Sequence, residues 1–79
     1  MDAESQHTDG RLTYRLEVEG RIGARWRDWF EADTIRADGA ATVLEVRVAD
    51  QSELYGRLRR IHDLNLRLLS VTRIDRDPH

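Results

Sequence analysis

The chain has 79 residues, of which 39% are apolar and 35% are charged, and its formal net charge is −2. A chain of this length forms one domain and buries only about 60% of its unfolded surface, which leaves little room for a deep, preformed active site. The slight negative charge disfavours nucleic acid and anionic membranes as partners. Because there is no cysteine, disulfides, thiol catalysis and zinc–thiolate sites are excluded.

Both ends of the chain are polar. We interpret residues 1–10 as a flexible lead, residues 11–75 as a single α+β domain and residues 76–79 as a tail. The lead contains three acidic residues, unlike a signal peptide. No apolar run reaches the roughly 18 residues that span a membrane. The cytoplasm is therefore the expected location.

The first strand is predicted at residues 11–19, where apolar and polar side chains alternate. The residues expected on its apolar face are Leu12, Tyr14, Leu16 and Val18. Gly20 and Gly23 then interrupt the pattern. Two glycines at a strand-to-helix turn can expose main-chain N–H groups, so Gly20 and Gly23 are candidate ligand-binding residues.

A short helix with three aromatic rings is predicted at residues 24–32. Trp26, Trp29 and Phe30 have the i, i+3, i+4 spacing that places them on one helix face. Because two turns of helix need packing to be stable, the rings are expected to form a large part of the core. So short a helix cannot cover three rings fully, and Trp26 and Trp29 are therefore also candidate anchors for a partner.

A hairpin and a second helix are predicted next. Asp38-Gly39 is a strong turn signal between a weak strand at residues 33–37 and a β-branched strand at residues 42–48. The helix is predicted at residues 51–64, because Asp50 can accept the N–H of Ser52 or Glu53 as an N-cap. Its expected buried stripe is Leu54, Leu58, Ile61 and Leu64. Asn65 can take the left-handed conformation that ends a helix.

The last strand begins near Leu66, and two facings are open: either Leu69 and Val71 or Leu68 and Ile74 point to the core. The element order is strand, helix, strand, strand, helix, strand. This order predicts a ferredoxin-like βαββαβ fold, with a four-stranded antiparallel sheet in the order 4-1-3-2 and both helices on one face.

The outer face of this sheet is expected to be charged. The first and third strands are central neighbours in the predicted order, so Arg15 and Glu17 can pair with Glu45 and Arg47 across the sheet. No aromatic side chain is expected on this face, which argues against RNA binding by base stacking.

The main helix also carries polar candidates for a partner surface. Arg57 and Arg60 have the spacing to pair with Glu53 and Asp63, so a solvated, ion-paired face is the ordinary interpretation of this basic run. An acidic partner is the functional interpretation.

Tyr55 and His62 lie on one flank of the same helix. A half-buried pair at the edge of the core is the ordinary interpretation; in the functional one they border one groove with Gln51. Tyr55, Arg59 and His62 are therefore candidate partner-binding residues. The other histidines, His7 and His79, are scattered, so no metal site is expected. Without a phosphate-binding loop or a catalytic constellation, we expect neither a cofactor nor enzymatic activity.

Three pieces of the chain resemble a group of small, uncharacterised bacterial proteins. They are Trp26-x-x-Trp29-Phe30-Glu31, Val48-Ala49-Asp50-Gln51-x-x-Leu54-Tyr55-Gly56-x-Leu58, and Ile61-His62-Asp63-Leu64-Asn65-Leu66 with Leu68-Leu69-Ser70-Val71. The resemblance extends from Tyr14 to Ile74 and implies a stand-alone domain, but no activity or site residue. Proteins of that group often have Gly at the positions of Ala32 and Asn65.

These observations favour a small, non-catalytic protein-interaction module. We expect it to self-associate as a homodimer, through a sheet edge, the open sheet face or the aromatic flank, and to act on a protein partner. The alternative is a small-molecule-binding regulatory module similar in architecture to ACT domains, with its site at residues 20–23 and a dimer interface. An enzyme is the least favoured class.

Overall fold

The computed structural model describes residues 11–74. Its elements are β1 Leu12–Glu19, a 3₁₀ turn Ala24–Trp26, α1 Arg27–Phe30, β2 Thr34–Asp38, β3 Ala41–Val48, α2 Gln51–Asp63 and β4 Leu68–Ile74. The predictions of a lead at residues 1–10 and a tail at residues 76–79, and the last residue of the predicted domain, lie outside the described residues.

The four strands form one antiparallel sheet in the order β2-β3-β1-β4. The α+β class is therefore confirmed, and β1 and β3 are the central neighbours. They pair over their full lengths, from Leu12 opposite Val48 to Glu19 opposite Ala41. This register follows from the alternation of apolar and polar side chains along both strands, because a one-residue slip would turn every apolar side chain to the other face.

The core lies on the apolar face of the two central strands. Leu16 and Val18 from β1 pack in one cluster with Phe30 from α1 and with Leu54 and Ile61 from α2. The β3 members of this cluster are Leu44, Val46 and Val48. The buried stripe of α2 is narrower than predicted, because Leu58 and Leu64 are only half-buried at its margin.

The first helix is shorter than the sequence predicts. A 3₁₀ turn leads into a single α-helical turn that ends at Phe30, and Glu31 then takes a left-handed conformation with φ 52°. The three aromatic rings nevertheless contact one another. The Trp26 and Trp29 centroids are 6.1 Å apart and those of Trp29 and Phe30 5.1 Å apart, and both pairs are edge-to-face.

The second helix begins at Gln51, as its cap predicts, and ends at Asp63, one residue before the predicted end. The Asp50 carboxylate accepts the N–H of Glu53 at 3.0 Å, and Glu53 Oε1 accepts the N–H of Ala49 at 2.9 Å. The first bond satisfies a main-chain donor that the first turn leaves free, and the second satisfies the N–H of the residue before the N-cap. At the other end Asn65 has φ 60°, and its N–H donates to the carbonyl of His62 at 2.8 Å.

The outer face of the sheet carries the predicted cross-strand pair. Arg15 lies directly opposite Glu45, and its Nη2 is 3.4 Å from Glu45 Oε2. On the neighbouring rung Ser70 Oγ donates to Glu17 Oε1 at 2.9 Å. Val43 is buried on this face between polar neighbours. The result is a polar surface whose charges are engaged with one another.

The facing of β4 follows from its pairing with β1. Val71 lies opposite Leu16 and Leu68 opposite Val18, so both share the face of core residues. Ile74 lies opposite Thr13 and points to the polar face. The register shifts between Glu17 and Val18, which accommodates an extra residue at the start of β4.

Candidate functional site

Thr42 organises the turn between β1 and α1. Its hydroxyl donates to the carbonyl of Gly20 at 2.7 Å and accepts the N–H of Ile22 at 3.0 Å, and the residue is only 1% exposed. Gly20, with φ +98°, also donates its N–H to Ala40 at 2.8 Å. The turn is therefore attached to the β2–β3 hairpin. Sequence analysis missed Thr42, although it stands on the face of β3 where Leu44 is buried.

An open groove of about 560 Å³ lies beside this turn, where the chain after β1 approaches the end of α2. It is lined by Arg21, Ile22, Gly23, Arg25, Trp26, Leu64 and Leu66. The half-buried Ile22, Leu64 and Leu66 form what we call its apolar floor. Of the residues predicted for the glycine turn, Gly23 lines the groove, whereas Gly20 only shapes the turn.

Two main-chain N–H groups of the glycine turn are not available to a ligand. The N–H groups of Gly20 and Ile22 already have acceptors within the fold. The groove instead offers side chains. Arg21 Nε donates to the carbonyl of Gly39 at 3.3 Å, and the guanidinium carbon of Arg25 lies 5.9 Å from the centre of the Trp26 ring. Within residues 11–74 no carboxylate forms a salt bridge with either arginine.

Glu31 joins α1 to α2 through two arginines. Its carboxylate oxygens lie 3.3 Å from Arg57 Nη2 and 3.3 Å from Arg60 Nη2. The expected pairing of these arginines with acidic residues of their own helix is therefore wrong for Glu53, which caps the helix instead. The left-handed turn at residue 31 explains the difference, because it carries the carboxylate to α2.

The predicted partner-binding residues divide into two groups. Trp26 and Trp29 are half-buried, contact each other and pack against the core. Tyr55, Arg59 and His62 lie on the exposed side of α2. Tyr55 is 61% exposed, so the interpretation of Tyr55 and His62 as a half-buried pair is wrong.

A second surface, which sequence analysis did not single out by residue, runs along β4. Leu68 is 38% exposed, Leu69 50% and Val71 41%, and we call these three residues the β4 strip. Leu68 and Val71 share the face of the sheet on which the core lies, yet both side chains are exposed. The β4 strip and Tyr55 are the large apolar side chains exposed among the described residues.

The described part of the chain shows neither a metal-binding cluster nor a membrane-spanning helix. No group of three or more His, Cys, Asp or Glu residues within 11–74 is arranged to hold a metal ion. The two helices in this range are also too short and too polar to cross a membrane.

Comparisons with known proteins give one match. A family model described as a domain of unknown function matches residues 13–72. This range nearly coincides with the stretch that carries the sequence resemblance, and it covers β2, β3 and both helices completely and most of β1 and β4. Neither the curated proteins nor the solved structures contain a match.

Proposed function

The chain belongs to this family, DUF8691, and on the basis of its surface we propose that it is a small, non-catalytic interaction module that self-associates through β4. The observation that supports this proposal most is the β4 strip. Three large apolar side chains stand exposed on one edge strand, and exposed apolar patches on small domains mark interaction surfaces. The cytoplasmic location stays a prediction from sequence.

The two edges of the sheet differ in a way that favours β4. The β2 edge is five residues long and carries Arg36 and Asp38, and short, charged edges resist pairing with another chain. The β4 edge is seven residues long, with Arg73 as its one charged residue. An edge of this length and composition is a template for strand addition.

A second copy is the partner that fits this edge. Two β4 strands related by a two-fold axis would pair in antiparallel fashion and extend one sheet across both copies. Val71 stands at the middle of β4, so the two β4 strips would meet near the axis. Each strip would then continue the apolar face that Leu16 and Val18 begin inside each domain. A separate protein partner at Tyr55, Arg59 and His62 stays a prediction.

We also interpret the fold as ferredoxin-like. Read from β4, the strand order is 4-1-3-2, which is the order of that fold. Phe30 of α1 and Ile61 of α2 belong to the same apolar cluster, which supports a position of both helices on one face of the sheet. In this fold β4 is an outer strand, consistent with a role in pairing between copies.

Sedimentation equilibrium of the full chain over a range of concentrations tests the proposal. We expect a monomer–dimer equilibrium, and we expect Val71→Lys to shift it to the monomer because the charge enters the apolar contact. The matched control is Thr34→Lys, which adds the same charge to an exposed residue of the β2 edge and should leave the dimer intact. A chain that is monomeric throughout, or equal dissociation by both variants, overturns the proposal.

A third variant distinguishes two possible registers of the pairing between the β4 strands. If Val71 pairs with its own copy across the axis, Val71→Glu places two like charges together and dissociates the dimer as Val71→Lys does. If Val71 instead faces Arg73 of the second copy, the glutamate gains an ion pair and weakens the dimer less than Val71→Lys does. Each cross-strand charge pair contributes about 0.2–1 kcal/mol. The repulsion between the two substituted residues would occur once, on the axis, whereas the ion pair with Arg73 would occur twice, so the two registers are distinguishable.

A further inference from the structure

We propose that the groove beside Trp26 binds a small amphipathic carboxylate. The carboxylate would lie at Arg21 and Arg25, and the apolar body of the ligand would lie on the apolar floor. This site is separate from the β4 strip, and the proposal does not depend on self-association.

The charge of the groove is the first observation that carries the proposal. Arg21 and Arg25 both line it, and neither has a carboxylate partner within residues 11–74. In the same domain Arg57 and Arg60 are engaged with Glu31. Two uncompensated guanidinium groups on one groove favour an anion, and their planar donor forks match the two oxygens of a carboxylate.

The two arginines are also partly positioned before any ligand arrives. Arg21 is held through Nε by the carbonyl of Gly39, and this leaves its terminal nitrogens free to donate to a ligand. Arg25 lies against the Trp26 ring. Side chains that are already ordered lose less entropy on binding. These contacts therefore favour binding of an anion at a defined site over nonspecific attraction by positive charge.

The floor and the size of the groove select a ligand with an apolar body. Ile22, Leu64 and Leu66 are half-buried and face a volume of about 560 Å³, which lies within the range of small-molecule sites. Trp26 adds an aromatic surface that an apolar or aromatic body can contact. A simple inorganic anion would leave this apolar surface uncovered, so the class we infer is a carboxylate with an alkyl or aryl chain.

NMR titration of the full chain gives a direct test. The probes are 4-phenylbutyrate, octanoate, the neutral amide of 4-phenylbutyrate, and acetate. We expect the two amphipathic carboxylates to shift the indole N–H resonance of Trp26, identified by comparison with Trp29→Phe. We expect them to bind at least about tenfold more tightly than the amide, which lacks the charge, or acetate, which lacks the body.

Substitution of the arginines is an independent test of the same site. The double variant Arg21→Gln, Arg25→Gln should weaken 4-phenylbutyrate by about tenfold or more, whereas Arg36→Gln on β2 should bind as the unaltered chain does. Both groove arginines are exposed, so the core is unaffected by their replacement. Equal binding of the carboxylate and its amide, an unchanged affinity of the double variant, or no shift with any probe at millimolar concentration overturns the proposal.

Discussion

The guanidinium group of Arg60 donates a hydrogen bond from Nη1 to the main-chain carbonyl of Trp29 at 2.5 Å, and it lies 5.5 Å from the centre of the same residue's ring. One side chain of α2 therefore holds both the backbone and the indole of α1. A single helical turn is not stable in isolation, because nucleation of a helix is unfavourable. The position of α1, and with it that of the aromatic rings, depends on this contact with α2.

Replacement of Arg60 by alanine should destabilise the domain. The variant loses a charge-assisted hydrogen bond, a cation–π contact and the exposed ion pair with Glu31. Because Arg60 is partly exposed, we expect a loss of about 1–2 kcal/mol in the free energy of unfolding. Arg59→Ala is the matched control, since Arg59 is an exposed neighbour and its loss should stay within about 0.5 kcal/mol. Urea denaturation measures both values, and equal values would contradict the role assigned to Arg60.

Glu31 combines an unfavourable backbone conformation with two ion pairs. Glu31→Gln removes the ion pairs alone, and because the carboxylate is half-exposed the loss should be at most about 1 kcal/mol. Glu31→Gly removes the ion pairs but also relieves the left-handed conformation, which costs a non-glycine residue about 1–2 kcal/mol. The glycine variant should therefore be more stable than the glutamine variant in thermal unfolding. The reverse order would show that the left-handed conformation at residue 31 carries no such cost.

The hydroxyl of Thr42 should control the turn after β1. Thr42→Val keeps the shape of the side chain but removes both hydrogen bonds, which leaves main-chain groups of Gly20 and Ile22 without partners and costs about 1–3 kcal/mol. Hydrogen exchange of the Ile22 amide is the sharper readout. It should accelerate in Thr42→Val and stay slow in Thr42→Ser, where the hydroxyl is retained. Equal exchange rates in the two variants would refute the assignment.

Gly56 is a position where the chain can be stabilised. It lies in the interior of α2, is exposed, and a β-carbon there would meet no atom within 4 Å. Gly56→Ala should therefore stabilise the helix by about 1 kcal/mol and raise the unfolding midpoint by about 4–8 °C. Sedimentation of the same variant shows whether another chain approaches this glycine closely, because a β-carbon would then weaken association. An unchanged dimer is the expected result.

Local patterns in the sequence determined a large part of the fold. The alternation of β1 and β3 predicts which side chains face the core and that Arg15 and Glu45 pair on the outer face. Asp50 predicts the start of α2, and Asn65 predicts the left-handed residue after its end. These features depend on residues a few positions apart, or on the pleat of paired strands, so periodicity and capping rules are sufficient to predict them.

Only the tertiary structure decided where the candidate surfaces lie. The groove brings Trp26 next to Leu64, and the left-handed turn at residue 31 directs a carboxylate to Arg57. The apolar residues of β4 predict a strand but not their own exposure, because exposure depends on whether a helix covers the sheet at that point. Here α1 is one turn long and α2 packs over the central strands, so Val71 shares a face with the core yet stays open to a partner.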